Sequence, residues 1–410
     1  MKISVKIFSI VLLICLTAGY NRSEACTAVV ISGKVTASGR PMMLKVRDSQ
    51  EQNCDFQLFK GEKFDFIGQT TTCSKPHEQL KGVVSGYNTA GLCMASLTPG
   101  KGFAYDSMRD KRLSGGKLIF KALGRCRNIT EFEQLVNEIF DSRIIIAHLI
   151  VIDAEGGAAV YEFGGKSFVK YDTNDLKACP GGFRCQTNFS FSGDPTLGHG
   201  QVRYDSAVKI MESLPRNAEG KFEFGPAELS DYFCRTFYHA ERKIKNIDQI
   251  KKEYLPGEDF IIRSNTCVIT AFEGARPGET PSHTILWAQL GTPTCTPSLP
   301  LILSSGKIPE YMTNSALDTA AMMRTATRVR NLKIYDLDGP KRYERFNVQA
   351  CRDLIKAVRK TEDSIKAEFY PLLDAWRENR MPDTEFYESY AKQASGYLNL
   401  YKSDFAEYLK

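Results

Sequence analysis

The stretch from Ile144 to Ile152 is apolar almost throughout, and this run limits the folds open to the chain. Glycine-rich turn residues follow it at 153–157, and the strand-like run Ala158 to Phe163 comes next. A strand with apolar side chains on both sides needs cover on both of its faces. The sequence therefore predicts a sheet buried inside a layered structure.

The remaining elements occur in blocks of strands and blocks of helices. We predict strands at Thr27–Ile31 and Met42–Val46, a hairpin over 82–96 with its turn at 87–91, and strands at Thr266–Phe272 and Thr284–Leu290. Apolar spacing predicts two helices within Gly116–Phe140, with Thr130 as an internal cap, and helices at Val202–Leu214 and Ala227–Lys245. Such segregation favours a layered α+β fold over a doubly wound parallel sheet.

The composition is that of a globular protein, with 42% hydrophobic and 25% charged residues in 410. From about Gln349 the chain becomes charged, aromatic and helical, which predicts a helical extension over 346–410 that packs on a body at 26–345. The formal charge of +6 is scattered, whereas nucleic-acid binding needs a clustered basic face. We therefore expect no nucleic-acid partner.

The N-terminus has the pattern of a secretory signal peptide. Lys2 and Lys6 precede an apolar run to Ala18, and a polar stretch ends at Ser23-Glu24-Ala25. The run is short for a stable membrane anchor, so we expect residues 1–25 to be removed and the protein to be exported, periplasmic or secreted. Cleavage after Ala25 would make Cys26 the first residue, and Ser23 argues against a lipoprotein site.

Twelve cysteines leave ten once Cys15 departs with the signal and Cys26 is set aside. Export permits disulfides, and Cys54–Cys73 and Cys179–Cys185 are the locally plausible pairs, with buried free thiols as the alternative. The cysteines and histidines lack the spacing of a zinc site. We expect neither a metal nor a cofactor.

An N-terminal cysteine can carry its own base. The chain has only five histidines, none of them in a recognisable catalytic signature. The α-amine of an N-terminal residue has a reference pKa of about 7.7–8.0, so it can accept the thiol proton and later return it to a leaving amine. Cys26 is thus a candidate nucleophile if residues 1–25 are removed.

Several short motifs, taken in order, resemble those of the choloylglycine hydrolase and penicillin V acylase group and of acyltransferase-like relatives among the N-terminal-nucleophile hydrolases. They are Ala25-Cys26-Thr27, the segment 44–48, the turn 88–97, Thr187-Asn188-Phe189 and Arg203-Tyr204. The resemblance covers roughly residues 26–300. It implies a four-layer αββα sandwich.

The resemblance also implies roles for individual residues. Cys26 would be the nucleophile, and Asp48 would hydrogen-bond its α-amine. Asn188 would donate its side-chain amide into the oxyanion hole, where the backbone N–H of Thr98 would be the second donor. Arg203 would brace the site through charge-assisted bonds.

One position departs from the family pattern. Relatives place an arginine three residues before the aspartate, where this chain has Lys45, and Arg47 stands directly before Asp48. Either cation could stabilise the thiolate, although lysine lacks the two-pronged grip of arginine. The sequence leaves this choice open.

The activity implied is hydrolysis of a linear, non-peptide amide C–N bond in a small N-acyl compound through a Cys26 thioester. Bile-salt conjugates, penicillins, N-acyl amino acids and N-acyl homoserine lactones all present such a bond. The alternatives are a dipeptidase with an N-terminal cysteine, acyl transfer to an amine, and an exported binding protein with an inactive site. We expect no stable membrane anchor, and a homo-oligomer is compatible with the sequence.

Overall fold

Two large, mainly antiparallel sheets form the centre of the protein, as seen in a computed structural model that describes residues 25–71, 82–100, 111–314, 319–335 and 345–410. The strands are β1 Ala25–Ile31, β2 Met42–Asp48, β3 Cys54–Phe59, β4 Phe66–Thr71, β5 Ser85–Asn88, β6 Cys93–Leu97, β7 Arg112–Leu113, β8 Ile144–Ile152, β9 Ala158–Gly165, β10 Phe168–Asp172, β11 Phe183–Gln186, β12 Tyr254–Pro256, β13 Thr266–Glu273, β14 Ile285–Leu290, β15 Leu299–Leu301 and β16 Arg345–Asn347. A six-stranded sheet has the order β11-β1-β2-β13-β14-β15, and an eight-stranded sheet has the order β10-β9-β8-β6-β5-β4-β3 with β7 paired to β8.

Helices cover both outer faces of the stacked sheets. The helices are α1 Gly115–Arg125, α2 Ile129–Phe140, α3 Gln201–Ser213, α4 Pro226–Arg235, α5 Ala321–Val329, α6 Val348–Arg377 and α7 Asp383–Asp404. Helices α1 and α2 contact the eight-stranded sheet, while α3, α4 and α5 contact the six-stranded sheet. Strands β1 and β2 contact β8 across the space between the sheets. The layers therefore run helix, sheet, sheet, helix, which confirms the α+β class and the four-layer αββα architecture.

The buried strand that the sequence predicts is β8. All nine of its residues are buried, because β6 and β9 flank it in the sheet, the six-stranded sheet covers one face, and α1 and α2 cover the other. The predicted hairpin is β5 and β6, and the predicted helix pair is α1 and α2. Apolar patterning located these elements because burial fixes the side chains that they need.

Two local predictions were wrong. The helix predicted over Ala227–Lys245 ends at Arg235, and Phe237 and Lys243 adopt positive φ angles of 55° and 54°, which no α-helix tolerates. The cap of α2 is Asn128, whose side chain accepts from the backbone N–H of Glu131, so Thr130 already lies inside the helix.

The cysteines that the structure describes are all free thiols. Cys179 donates to the carbonyl of Phe183 with a separation of 3.0 Å, and Cys185 is buried and unbonded to it. Cys54 is also a buried free thiol, whereas Cys73 lies outside the described residues. The structure therefore has free thiols in place of the predicted Cys179–Cys185 disulfide. The Cys54–Cys73 pair stays a prediction, because only Cys54 is described.

The two C-terminal helices pack on the six-stranded sheet side of the body. A buried ion pair joins Arg235 of α4 to Glu362 of α6 through two bonds of 2.7 Å. Arg235 also donates to the carbonyls of Pro293 and Thr296, and Glu362 accepts from the N–H of Ser298. No helix among the described residues is long and apolar enough to cross a bilayer, and the N-terminal apolar run lies outside those residues.

Glu362→Ala is expected to lower the free energy of unfolding by about 3–5 kcal/mol, because it removes the buried carboxylate and leaves the guanidinium of Arg235 with only the less buried Asp231 as its counter-ion. Glu212→Ala, which breaks the exposed Lys209–Glu212 pair, is the matched control and should leave stability unchanged. Urea unfolding of both variants makes the comparison. Equal effects would show that the Arg235–Glu362 pair does not fasten α6 to the body.

Candidate active site

Cys26 lies at the second position of β1, where its side chain faces the space between the sheets. It is opposite Arg47 in the antiparallel pairing of β1 with β2, and it is only 4% exposed. The residue before it, Ala25, is also buried and pairs with Asp48. With residue 25 attached, the backbone nitrogen of Cys26 is therefore part of a peptide bond inside the buried strand β1.

A cavity of about 210 Å³ opens beside the thiol. The six-stranded sheet contributes charged side chains to its wall, and the eight-stranded sheet and the start of α1 contribute small, hydroxyl and apolar groups. The lining residues are Cys26, Lys45, Arg47, Asp48, Val84, Ser96, Leu97, Thr98, Pro99, Arg112, Ser114, Gly115, Gly116, Ile146 and Ala147. Four of the six residues predicted for the site thus surround one space, and Asn188 and Arg203 adjoin it from behind Cys26.

The side chain of Asn188 links three parts of this site. Its Oδ1 accepts from the backbone N–H of Cys26 at 2.8 Å and from Nη2 of Arg203 at 2.9 Å. Its Nδ2 donates to the carbonyl of Thr98 at 2.6 Å. The side-chain amide of Asn188 was predicted to donate into an oxyanion hole. In this structure, where the Cys26 nitrogen is part of a peptide bond, that amide donates to the carbonyl of Thr98.

Arg203 is buried directly behind Cys26. Its Nη1 donates to the carbonyl of Cys26 at 2.5 Å and to Oγ1 of Thr27 at 3.1 Å. It lies in the first turn of α3, after Gly200, which has φ of 101°. A Cβ at Gly200 would collide with the guanidinium, so this glycine is required both by its backbone angle and by the close approach of Arg203.

Asp48 lies next to Cys26, and one of its carboxylate oxygens has no hydrogen-bond partner among the described residues. Oδ1 accepts from Oγ1 of Thr266 at 2.5 Å, and Oδ2 is buried without a hydrogen-bond partner among the described residues. Burial raises the pKa of this carboxyl, against the lowering effect of the nearby charges of Arg263 and Arg203. A buried acceptor without a donor is costly, and a new cation beside it would remove that cost.

Lys45 and Arg47 differ in what they contact. Burial raises the pKa of the Cys26 thiol, and among the groups that lower it the charge of Lys45 acts more strongly than that of Arg47. The guanidinium of Arg47 is held by other groups, with Nη1 at 3.0 Å from Sγ of Cys54 and 3.3 Å from Sγ of Cys267. Of the two cations that the sequence left open, Lys45 is the stronger electrostatic partner of the thiol.

The loop that carries Asn188 is held by a histidine that sequence reasoning did not assign to the site. His148 in β8 has Nδ1 at 3.1 Å from the carbonyl of Thr187 and Nε2 at 2.8 Å from Oγ of Ser190. A carbonyl only accepts, so Nδ1 donates and Nε2 accepts from the serine hydroxyl. Burial lowers the pKa of His148, which favours this neutral form. The ring of His148 therefore fixes the chain before and after Asn188, at Thr187 and Ser190.

Glu162 in β9 fastens the next part of the same loop. Its Oε1 accepts from the N–H of Phe191 at 2.9 Å, and its Oε2 accepts from the N–H and Oγ of Ser192 at 2.7 Å and 2.6 Å. Polar residues in the middle of strands that are otherwise apolar were the available sequence signal for both His148 and Glu162. Among the described residues no group of three or more His, Cys, Asp or Glu side chains is arranged to hold a metal ion.

Replacing His148 by glutamine is expected to lower the free energy of unfolding by about 1–3 kcal/mol, because buried groups lose their partners. The loss should depend on pH. The pKa of the folded state is below the ordinary 6.5, so the stability that neutral His148 contributes is complete above that pH and declines as pH falls below it. Urea unfolding across pH would show wild type and variant converging in acid. A difference that stays constant with pH would contradict this account.

Lys45→Met is expected to move the titration of the Cys26 thiol to higher pH, since the cation that lowers the pKa of this thiol most strongly is removed. The rate of alkylation of Cys26 by iodoacetamide, followed by peptide mass spectrometry across pH, measures this shift. Lys34→Met, at an exposed position outside the cavity, is the control and should leave the profile in place. An unchanged profile in Lys45→Met would assign the electrostatic role to another group.

No family model matches the chain, and no curated protein matches it. Solved structures do. Penicillin V acylase from Agrobacterium tumefaciens matches with 14% identity and a TM-score of 0.40, over 68% of this chain and 86% of that one. A variant of conjugated bile acid hydrolase from Clostridium perfringens matches with 12% identity and a TM-score of 0.43, over 72% and 98%.

The Caenorhabditis elegans ortholog of N-acylethanolamine-hydrolyzing acid amidase matches with 15% identity and a TM-score of 0.37, over 62% of this chain and 93% of that one. Similarities this low carry no information about the chemistry of the site. The layering is what the sequence resemblance implies, and Cys26 lies at the start of the first strand. The chain has a four-layer αββα fold.

Proposed function

We propose that this protein is an exported cysteine hydrolase that cleaves the linear amide C–N bond of N-acyl compounds after residues 1–25 are removed. The observation that carries the proposal is the set of groups around the Cys26 nitrogen. Its N–H bonds to Asn188, Arg203 bonds to the carbonyl of the same residue, and Asp48 lies beside it with a free carboxylate oxygen. A structural cysteine has no need of so many buried polar groups.

Removal of residues 1–25 changes the chemistry of this nitrogen. In the precursor it belongs to a peptide bond and cannot take up a proton. After cleavage it is an α-amine with a reference pKa of about 7.7–8.0. The unpartnered Oδ2 of Asp48 is then available to accept from the amine and hold it beside the sulfur, which also removes the cost of leaving that oxygen unsatisfied.

The reaction follows from these positions. The α-amine takes the proton from Sγ of Cys26, and the sulfur attacks the substrate carbonyl, so that a C–S bond forms and the carbonyl oxygen becomes negative. The C–N bond then breaks as the protonated α-amine gives its proton to the leaving amine, which leaves a thioester. Water, deprotonated by the same amine, attacks the thioester and releases the carboxylic acid and the free thiol.

The negative oxygen of the tetrahedral intermediate needs donors. Thr98 lines the cavity, and its backbone N–H is the group assigned as one donor. Asn188 supplies the other through Nδ2, because an amide NH2 carries two hydrogens and the bond to the Thr98 carbonyl uses one of them. Lys45 stabilises the thiolate, and Arg203 keeps the Cys26 carbonyl and Asn188 in register.

Cys26→Ser is expected to lower kcat/KM for N-acyl amides by about three orders of magnitude or more, because the hydroxyl is a far weaker nucleophile for this base. An extra alanine before Cys26 should cause a loss of similar size while leaving the thiol intact, since it removes the free amine. Cys179→Ser, at a half-buried thiol outside the site, is the matched control.

The assay is hydrolysis of a panel of acyl amides by the mature protein, with bile-salt, penicillin, N-acyl amino acid and dipeptide members. Substrate turnover that survives the added alanine would exclude the α-amine as base. Binding of a panel member without turnover, unchanged in Cys26→Ser, would instead identify a binding protein. Cleavage of dipeptides alone would identify a dipeptidase.

A further inference from the structure

An open groove of about 950 Å³ lies between α1 and α2 on the outer side of the eight-stranded sheet. Its apolar members are Leu113, Phe120, Leu135 and Ile139, and five of its other members are cations. The full lining is Gly82, Arg112, Leu113, Ser114, Gly116, Lys117, Phe120, Lys121, Arg125, Leu135, Glu138, Ile139, Ser142 and Arg143. We call this surface the basic groove.

Among the residues that the structure describes, most of the cations in the basic groove have no acidic partner. Arg125 faces Glu62 and Glu138 at 3.6 Å and 3.5 Å, which uses the one acidic member of the lining. The other four cations, Arg112, Lys117, Lys121 and Arg143, make no ion pair with an acidic residue of the described chain. Surface cations usually occur mixed with anions, so four uncompensated charges around one concave surface raise its local affinity for an anion.

The basic groove and the cavity of Cys26 are neighbours that share part of their wall. Arg112, Ser114 and Gly116 line both spaces. The cavity of about 210 Å³ has room for the groups around a scissile amide but for little more. A longer substrate with its amide at Cys26 would therefore extend past Arg112 toward the groove.

We propose that the basic groove binds the far end of the substrate, and that this end is an apolar arm carrying an anionic group remote from the scissile amide. The proposal rests on the proposed function and names the substrate class of that same site. Apolar side chains of the groove would contact the arm, and Arg112, Lys117, Lys121 and Arg143 would attract the acid. This remote anionic group differs from an acid adjacent to the scissile amide. An acid in the adjacent position would lie beside Lys45 and Arg47 in the cavity.

A matched pair of substrates tests the acid directly. One is an ω-carboxyacyl amide of aminomethylcoumarin, taken through a series of chain lengths, and the other is its methyl ester. The ester has the same arm without the charge. The mature protein should show a KM for the acid about tenfold or more below that for the ester at one or more lengths, and added salt should reduce the preference because it screens exposed charges.

Charge reversal locates the effect. The double variant Lys117→Glu with Lys121→Glu should raise KM for the acid about tenfold or more and leave KM for the ester and both kcat values within about twofold. Lys166→Glu with Lys177→Glu changes the charge by the same amount at exposed positions outside the groove, and it should leave both substrates unaffected. Equal KM values for acid and ester at every length, or a loss of preference in both double variants, would overturn the proposal.

Binding separates this proposal from the proposed function. Fluorescence anisotropy of the intact acid probe with the Cys26→Ala protein reports the groove without any chemistry. Salt-sensitive binding that the Lys117/Lys121 reversal abolishes, together with no turnover by wild type, would support the groove and contradict the hydrolase. Wild-type turnover with groove-independent binding would do the reverse. Binding of vesicles with anionic lipids in place of the acid probe, lost in the same variant, would overturn the proposal in favour of a membrane surface.

Discussion

The hydrogen bond from the Cys26 nitrogen to Oδ1 of Asn188 is the contact on which the rest of the site depends. A side chain that arrives from a loop after β11 meets the backbone of β1, and Arg203 closes the junction by bonding to both. Each of these groups is buried, so a shift of one leaves polar atoms of the others without partners. The cost of that loss keeps Cys26 in one position.

The surrounding fold supplies the rigidity that this junction needs. β1 lies between β2 and β11 in the six-stranded sheet, and β8 packs against it from the other sheet. His148 and Glu162 reach from the eight-stranded sheet to the loop of Asn188 and fix it at Thr187, Ser190, Phe191 and Ser192. The site is thus built across both sheets, and neither sheet alone would position it.

How far the sequence could predict this structure depends on the kind of signal. Buried strands such as β8 and paired helices such as α1 and α2 follow from apolar periodicity. The end of α4 did not, because the residues after Arg235 look helical in pattern while Phe237 adopts a positive φ that only the tertiary structure explains. Motif resemblance brought Cys26, Asp48, Asn188 and Arg203 together, as the structure does.

Other features needed coordinates because no local pattern carries them. Arg47 differs from Lys45 because its guanidinium contacts the thiols of Cys54 and Cys267, which lie far apart in the sequence. The role of His148 depends on a loop about 40 residues away in the sequence. The basic groove and the cavity are neighbours because Arg112 lines both. Long-range contacts of this kind arise from the register of the strands and the packing of the layers.

The central claim is that a free N-terminal Cys26 carries the acyl group during the reaction. Intact and peptide mass spectrometry of the mature protein, quenched in acid during turnover of an N-acyl amide, tests it most directly. The account predicts a chain that begins at Cys26 and carries one acyl group as a thioester on that residue, removable by hydroxylamine. A mature chain that begins elsewhere, or an acyl group on another residue, would contradict it.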